Sequence, residues 1–317
     1  MPPRPDLRPE PPRSRWPHRL ACATALLALP LFVFGGSVTT LRAGMAVEGW
    51  IFPEGHFLVT FPVQKWFRDL PTFVEHTHRL FGVLVGLAAI ATLVACLATR
   101  AGARAIGLAA AALLAVCAQG TLGGLRVLEN SPQLAFLHGV CAQLVFALLG
   151  VVAWQLRPGW KSLGDVEYPE GPPLRRAALW CTLLLLGQIA LGAWYRHGLR
   201  TQQLADVEMR LSLHLIGALA AFAAVVVLAG RLQSSGDARA LRLARGLRVL
   251  LFAQLGLGLA AWLLRDPRGL TPAEWATSVL HVLVGALLLL FSASAWVLTR
   301  ARDAVPAPAR AAIGGAA

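Results

Sequence analysis

Apolar residues run through this chain in eight long stretches, at roughly 20-42, 72-98, 103-127, 133-155, 175-196, 209-230, 244-264 and 274-299, separated by connections rich in Arg, Pro and Gly. None alternates as a half-buried strand does, and each reaches or approaches the roughly 20 residues that cross a bilayer core as helix. The pattern predicts an all-α membrane protein of eight transmembrane helices. Arg13, Arg15 and Arg19 give the first stretch some look of a signal peptide. Its apolar run is too long for one and no small-residue cleavage site closes it, so it reads as a retained helix. The Pro- and Arg-rich start, residues 1-18, and the Ala/Pro/Arg tail, 301-317, read as disordered.

Polar positions inside the spans are few and patterned. His78, His138, His214 and His281 each stand about five to seven residues in from the same end of an even-numbered span, or roughly 8–10 Å at about 1.5 Å per residue. An ionisable group at such depth is costly and marks function by default. A single one could serve only to bridge helices by a hydrogen bond, but four at matched depth call for a common role. Charge in the connections sets orientation. With an even number of spans both termini share one side, and that side carries about two thirds of the 29 Lys and Arg residues. By the positive-inside rule the termini are cytoplasmic, and the four histidines lie toward the outer face of a plasma or inner membrane.

Composition agrees with a chain in lipid: 56% of residues are hydrophobic and 14% charged, against about 25% charged in a soluble domain. The net charge of +13 therefore concerns orientation and not nucleic acid. Cys22, Cys96, Cys117, Cys141 and Cys181 all fall in apolar stretches with no C-x-x-C spacing, which offers neither a zinc site nor a disulfide framework. No nucleotide-binding motif occurs.

The chain also repeats itself. Residues 20-155 and 175-299 each hold four spans whose second and fourth carry a deep histidine. Gln-Gly-Thr-Leu-Gly-Gly at 119-124 is echoed by Gln188-Ile189-Ala190-Leu191-Gly192 and Gln254-Leu255-Gly256-Leu257-Gly258, stretches suited to close helix approach. The economical architecture is two tandem four-helix bundles, 19-157 and 175-300, related by a pseudo-twofold axis along the membrane normal and joined by a cytoplasmic linker at 158-174. Each bundle offers one histidine from each of two helices. That suits axial ligation on the two faces of a haem, whereas zinc asks for three or four clustered ligands. Gly82, Gly139, Gly217 and Gly285 stand near the ligands and leave room for a flat ring.

Several further residues carry weight together. The run Glu75-His76-Thr77-His78-Arg79 opens the second span. Val38-Thr39-Thr40-Leu41-Arg42-Ala43-Gly44-Met45-Ala46-Val47 precedes an outer-loop tryptophan, Trp50. With the eight-span layout and the other three histidines, these residues resemble haem A synthase over nearly the whole of 20-299. No cysteine pair falls in the loop 43-71, and Glu48-Gly49-Trp50 stands where many relatives have Pro-Asp-Trp. The resemblance implies substrate haem O between His78 and His138, and a resident b-type haem, with its iron, between His214 and His281. It also implies oxidation of the haem O C8 methyl group to a formyl group for haem-copper oxidase biogenesis.

Glu75 is the expected catalytic residue, since one helical turn puts its carboxyl group on the face of His78. The rival role is an interfacial pair with Arg79 that anchors the helix end. Arg79, Arg196, His197 and Arg210 are expected in support, with Arg200 and His56 further candidates, the cations neutralising haem propionates. His76 reads as a polar neighbour. Trp50, Trp66, Trp160, Trp180 and Trp275 read as an interfacial belt. Expected partners are the haem O synthase that supplies substrate, an electron donor, the lipid bilayer and a second copy of the chain. The alternatives are a dihaem b-type electron carrier and a non-enzymatic haem-binding assembly factor or exporter.

Overall fold

The computed structural model describes residues 14–158, 171–198, 204–266 and 268–300. Its long helices are α1 (Trp16–Thr40), α3 (Leu70–Ala98), α4 (Ala103–Leu128), α5 (Pro132–Gln155), α6 (Gly171–Gly198), α7 (Leu204–Ser234), α8 (Ala238–Leu263) and α9 (Pro272–Arg300); α2 (Val63–Trp66) is a single turn. Among the described residues no strand forms, and the eight long helices are each long and apolar enough to cross a membrane. The chain is an all-α, multi-pass membrane protein, in which every helix satisfies its own backbone away from water. Residues 1–13, most of the expected linker, Arg200 and the tail from 301 lie outside the described residues.

Helix starts follow capping chemistry. Asp69 accepts the Thr72 N–H at 2.7 Å and Ser131 accepts the Leu134 N–H at 3.2 Å, while Pro71 and Pro132 occupy first turns where no helical donor is lost. Asp237 accepts the N–H groups of Arg239 and Ala240 at 2.8 and 3.1 Å. That cap starts α8 well ahead of its apolar stretch. Arg239, Arg242 and Arg245 are therefore helical and not part of a connection, their long stems able to carry the charge to the interface.

In the first half of the chain, α1 and α4 each pack against both α3 and α5, closing a ring of four spans. A second ring closes through α6–α7, α7–α8, α8–α9 and α6–α9, and α9 lies against α1 and α5 where the rings meet. Away from the histidines the rings are filled by apolar side chains, among them Phe146, Leu149 and Val152 in the first and Leu228, Leu232, Leu247 and Leu298 in the second. The other end is capped over the first ring by the connection 41–69. Val47 and Phe61 are buried there, Glu54 pairs with Lys65 at 3.1 Å and Arg68 at 2.6 Å, and Arg68 donates to the Ala46 carbonyl at 2.8 Å. Burial alone would raise the Glu54 pKa, but these two cations hold it below its ordinary value.

Candidate functional site

The structure brings the four deep histidines together in two pairs. His78 of α3 faces His138 of α5 with ring centroids 6.4 Å apart and planes at 85°. His214 of α7 faces His281 of α9, again at 6.4 Å, with planes at 74°. Iron–nitrogen bonds of about 2 Å on both sides of one metal, plus about 1.1 Å from ring nitrogen to ring centre, put two axial imidazoles roughly 6.3 Å apart. Both pairs fit that span. Among the described residues no group of three or more His, Cys, Asp or Glu converges as a chelate.

What lets the rings approach is glycine on the preceding helix. A Cβ at Gly35, Gly123, Gly192 or Gly258 would stand 2.8, 2.8, 2.9 and 2.9 Å from Cε1 of His78, His138, His214 and His281 respectively, closer than side-chain carbons tolerate. The glycines that adjoin the ligands in sequence behave differently. Gly217 and Gly285 face Gln188 and Gln254, while a Cβ at Gly82 or Gly139 would meet nothing within 4 Å.

One turn before three of the four contact glycines stands a glutamine. Gln119 Nε2 lies 3.0 Å from His138 Nδ1 and donates to the His138 carbonyl at 2.8 Å. Gln188 Nε2 does the same at His214, at 2.9 Å for both. Gln254 Nε2 lies 3.2 Å from His281 Nε2, and His281 Nδ1 donates to the Gln254 carbonyl at 3.2 Å. One turn before Gly35 is Leu31, and His78 Nδ1 donates to its carbonyl at 3.1 Å. A carbonyl can only accept, so His78 and His281 carry their proton on Nδ1 and keep Nε2 as an acceptor, which at His281 takes the Gln254 amide N–H. The amide oxygens of Gln119, Gln188 and Gln254 are buried without a partner. At His138 and His214 the bond to the histidine's own carbonyl fixes the amide nitrogen beside the ring, so its N–H donates and Nδ1 accepts.

Glu75 is buried at 1% exposure. Its Oε1 accepts from Arg79 at 2.9 Å and its Oε2 accepts the Val47 N–H at 2.9 Å, while Arg79 donates to the carbonyls of Gly49 and Val47 at 2.7 and 2.8 Å. The Glu75–Arg79 pair foreseen from the four-residue spacing forms, but in the interior, where it fastens the 41–69 connection to α3. The positions one turn ahead of the other histidines hold Ala135, Leu211 and Ser278, so an acid accompanies only the first pair. His76 is buried against Phe61 and Trp66, with ring centroids 4.6 and 5.3 Å away, on the loop side of α3.

The supporting residues gather where the rings meet. Arg196 of α6 donates to the Gly36 carbonyl at 2.7 Å and to Thr40 Oγ1 on α1, and Trp275 of α9 donates to Ser37 Oγ at 3.0 Å. A Cβ at Gly36 would touch Val279, two residues before His281, so α1 links the two pairs through adjacent glycines, Gly35 and Gly36. His197 packs edge-on against Phe136, and Arg210 lies over the Trp194 ring at 4.8 Å. His56 stays in the connection beside Phe61. Arg126, overlooked in the sequence, donates to the Gly44 carbonyl at 3.3 Å, and its charge reaches both His78 and His138. Of the tryptophans expected in an interfacial belt, Trp180 is exposed, Trp50 packs on Gly124, Trp66 donates to Thr77 and Trp275 to Ser37, while Trp160 lies outside the described residues.

Residues 18–204 match the family model COX15-CtaA, cytochrome oxidase assembly protein. That region holds Glu75, His78 and His138 and stops short of His214, so the second pair rests on its own geometry. The chain is also similar to a heme A synthase of Methylobacterium nodulans, 35% identical over 158 residues, which are 47% of this chain and 43% of that protein. The alignment thus spans less than half of that relative's length. Because the family model takes in more than half of the residues, the chain belongs to the COX15-CtaA family of cytochrome oxidase assembly proteins.

Proposed function

We propose that this protein oxidises the C8 methyl group of haem O to a formyl group, making haem A for haem-copper oxidase biogenesis. On this reading two tandem bundles, 19–157 and 175–300, divide the work. His78 and His138 hold the substrate haem O; His214 and His281 hold a resident b-type haem, which supplies one-electron redox chemistry. The observation that carries the reading is two imidazole pairs at the same 6.4 Å, only one of which has a buried acid one turn from a ligand.

Converting a methyl to a formyl group takes two hydroxylations and loss of water, with positive character developing at the methyl carbon. The Glu75 carboxylate, fixed by Arg79 and the Val47 N–H, is preorganised to stabilise that charge or to take the proton. Arg79 and Arg126 beside the first pair, and Arg196, His197 and Arg210 beside the second, supply partners for propionates. The contact of α1 with both rings offers a short route between the two sites. The excess of Lys and Arg on the terminal side of the membrane favours cytoplasmic termini and sites toward the outer face. Substrate then comes from a haem O synthase; each hydroxylation is a two-electron oxidation of the methyl carbon and takes an external oxidant, with a separate electron donor serving the b-type haem.

A dihaem electron carrier is the second reading, favoured by the equal spacing of the pairs. Expression in a strain lacking its own synthase, followed by chromatography and mass identification of extracted haem, separates the two. Haem A, with haem O or a partly oxidised form beside haem B, supports the enzyme; haem B alone supports the carrier.

A further inference from the structure

At the end of the helices away from the histidines, the two rings leave a gap between them. It lies between the end of α5 and the first turns of α8, with α9 packed on both, and forms a cleft of about 230 Å³ lined by Trp154, Arg157, Arg239, Arg242, Leu243 and Phe291. Phe291 lies close against α8 because position 246, which its ring faces, is glycine. Trp154, Leu243 and Phe291 are half-buried and flank the leucine-rich core of the second ring. The rim is cationic. Asp237 pairs with Arg239 at 2.8 Å, whereas the exposed side chains of Arg157 and Arg242 have no protein partner among the described residues.

We infer that this cleft binds the headgroup phosphate of an anionic phospholipid. Arg157 comes from the first ring and Arg242 from the second, so two guanidinium groups on different walls can fork onto the oxygens of one phosphodiester. Asp237 offsets part of the charge of Arg239, which leaves selectivity for an anion to Arg157 and Arg242. Deeper in the span, Trp154, Leu243 and Phe291 offer an aromatic and aliphatic wall to the glycerol and the first acyl carbons. A free anion would leave that apolar wall uncovered, whereas a phospholipid satisfies wall and rim together. The cleft also lies at the membrane face where Lys and Arg are in excess, and basic pockets between spans at such a face take acidic headgroups. A lipid seated there ties α5 to α8. It joins the rings at the end opposite the bonds that Arg196 and Trp275 make to α1.

The test is retention of radiolabelled dioleoylphosphatidylglycerol by the full-length protein, held on a resin in neutral detergent, with circular dichroism to check that each variant is folded. Binding should saturate at about one lipid per chain. Unlabelled phosphatidylglycerol should displace the label, while phosphatidylcholine with the same chains, or inorganic phosphate at the same concentration, should not. Arg157→Gln and Arg242→Gln should each weaken retention about fivefold. Both side chains are exposed, and the two variants are made separately so that either one decides. Arg100→Gln, which removes an exposed arginine from the α3–α4 connection outside the cleft, should change nothing. Equal displacement by phosphatidylcholine makes the cleft a plain apolar groove and overturns the proposal. Equal displacement by inorganic phosphate makes it an anion site without a lipid and overturns it too. So does unchanged retention in a folded Arg157→Gln or Arg242→Gln variant, or an equal loss in Arg100→Gln, which reduces the effect to general surface charge.

Discussion

Replacing Gly258 with alanine tests how far the second pair depends on close helix approach. The new methyl would stand 2.9 Å from His281 Cε1, where carbon atoms in contact settle about 3.5–4.0 Å apart. The shortfall of roughly 0.6 Å or more is a large fraction of an iron–nitrogen bond of about 2 Å, so either the imidazole tilts off the metal axis or α8 and α9 part. Overpacking of this kind costs about 1–3 kcal/mol, which corresponds to about a five- to hundredfold loss of haem affinity. Gly256 on the same helix is the control. A Cβ there meets nothing within 4 Å, and alanine adds up to about 1 kcal/mol of helix propensity. The assay is haem titration of purified protein followed by absorbance, with circular dichroism to check helix content. Gly258→Ala should bind haem weakly and Gly256→Ala normally. Unchanged affinity in Gly258→Ala refutes the close-approach argument, and equal losses in both variants reduce it to a general effect on α8.

Glu75→Gln should block haem A formation and also strand Arg79, whose side chain is 9% exposed. Breaking a buried pair costs about 3–5 kcal/mol, so proteolysis of the 41–69 connection should quicken. Glu75→Gln with Arg79→Met should leave the connection at least as open to protease, because the Val47 and Gly49 carbonyls lose their donor as well; full conversion by Glu75→Gln alone would leave the pair a loop anchor. At the start of α8, burial alone would raise the Asp237 pKa, yet bonds from Arg239 and the Ala240 N–H lower it below the ordinary 3.8. A depressed carboxyl pKa stabilises the fold above the unfolded value and ceases to do so as pH falls through the folded one. Protection of the Arg239 and Ala240 amides from exchange, relative to their intrinsic rates, should therefore be constant above about pH 4 and fall below it, and Asp237→Ala should abolish that dependence at a cost of about 0.5–2 kcal/mol. A cysteine at exposed Phe57 should react with an impermeant thiol reagent in whole cells and one at Ser234 should not; the reverse would invert the topology.

The sequence by itself determined the spans and the histidines. Twenty-residue apolar runs leave a backbone in lipid few structures other than helix, and charge inside such runs is costly enough to announce a site, so His78, His138, His214 and His281 stood out unaided. The Glu75–Arg79 pair was legible because i,i+4 neighbours on a helix must meet. Helix starts at Asp237 were less legible, since a cap overrides the hydropathy boundary. What only the tertiary structure decided lies between helices. Gly35, Gly123, Gly192 and Gly258 sit on a different helix from the imidazoles they face, and no periodicity within one helix says which residue of another will face it. The same holds for Arg126, brought to the first pair by the 41–69 connection, and for Leu31. In the sequence Leu31 is one more apolar residue in an apolar run; it acquires meaning when α1 and α3 pack and place it where three other helices carry glutamine.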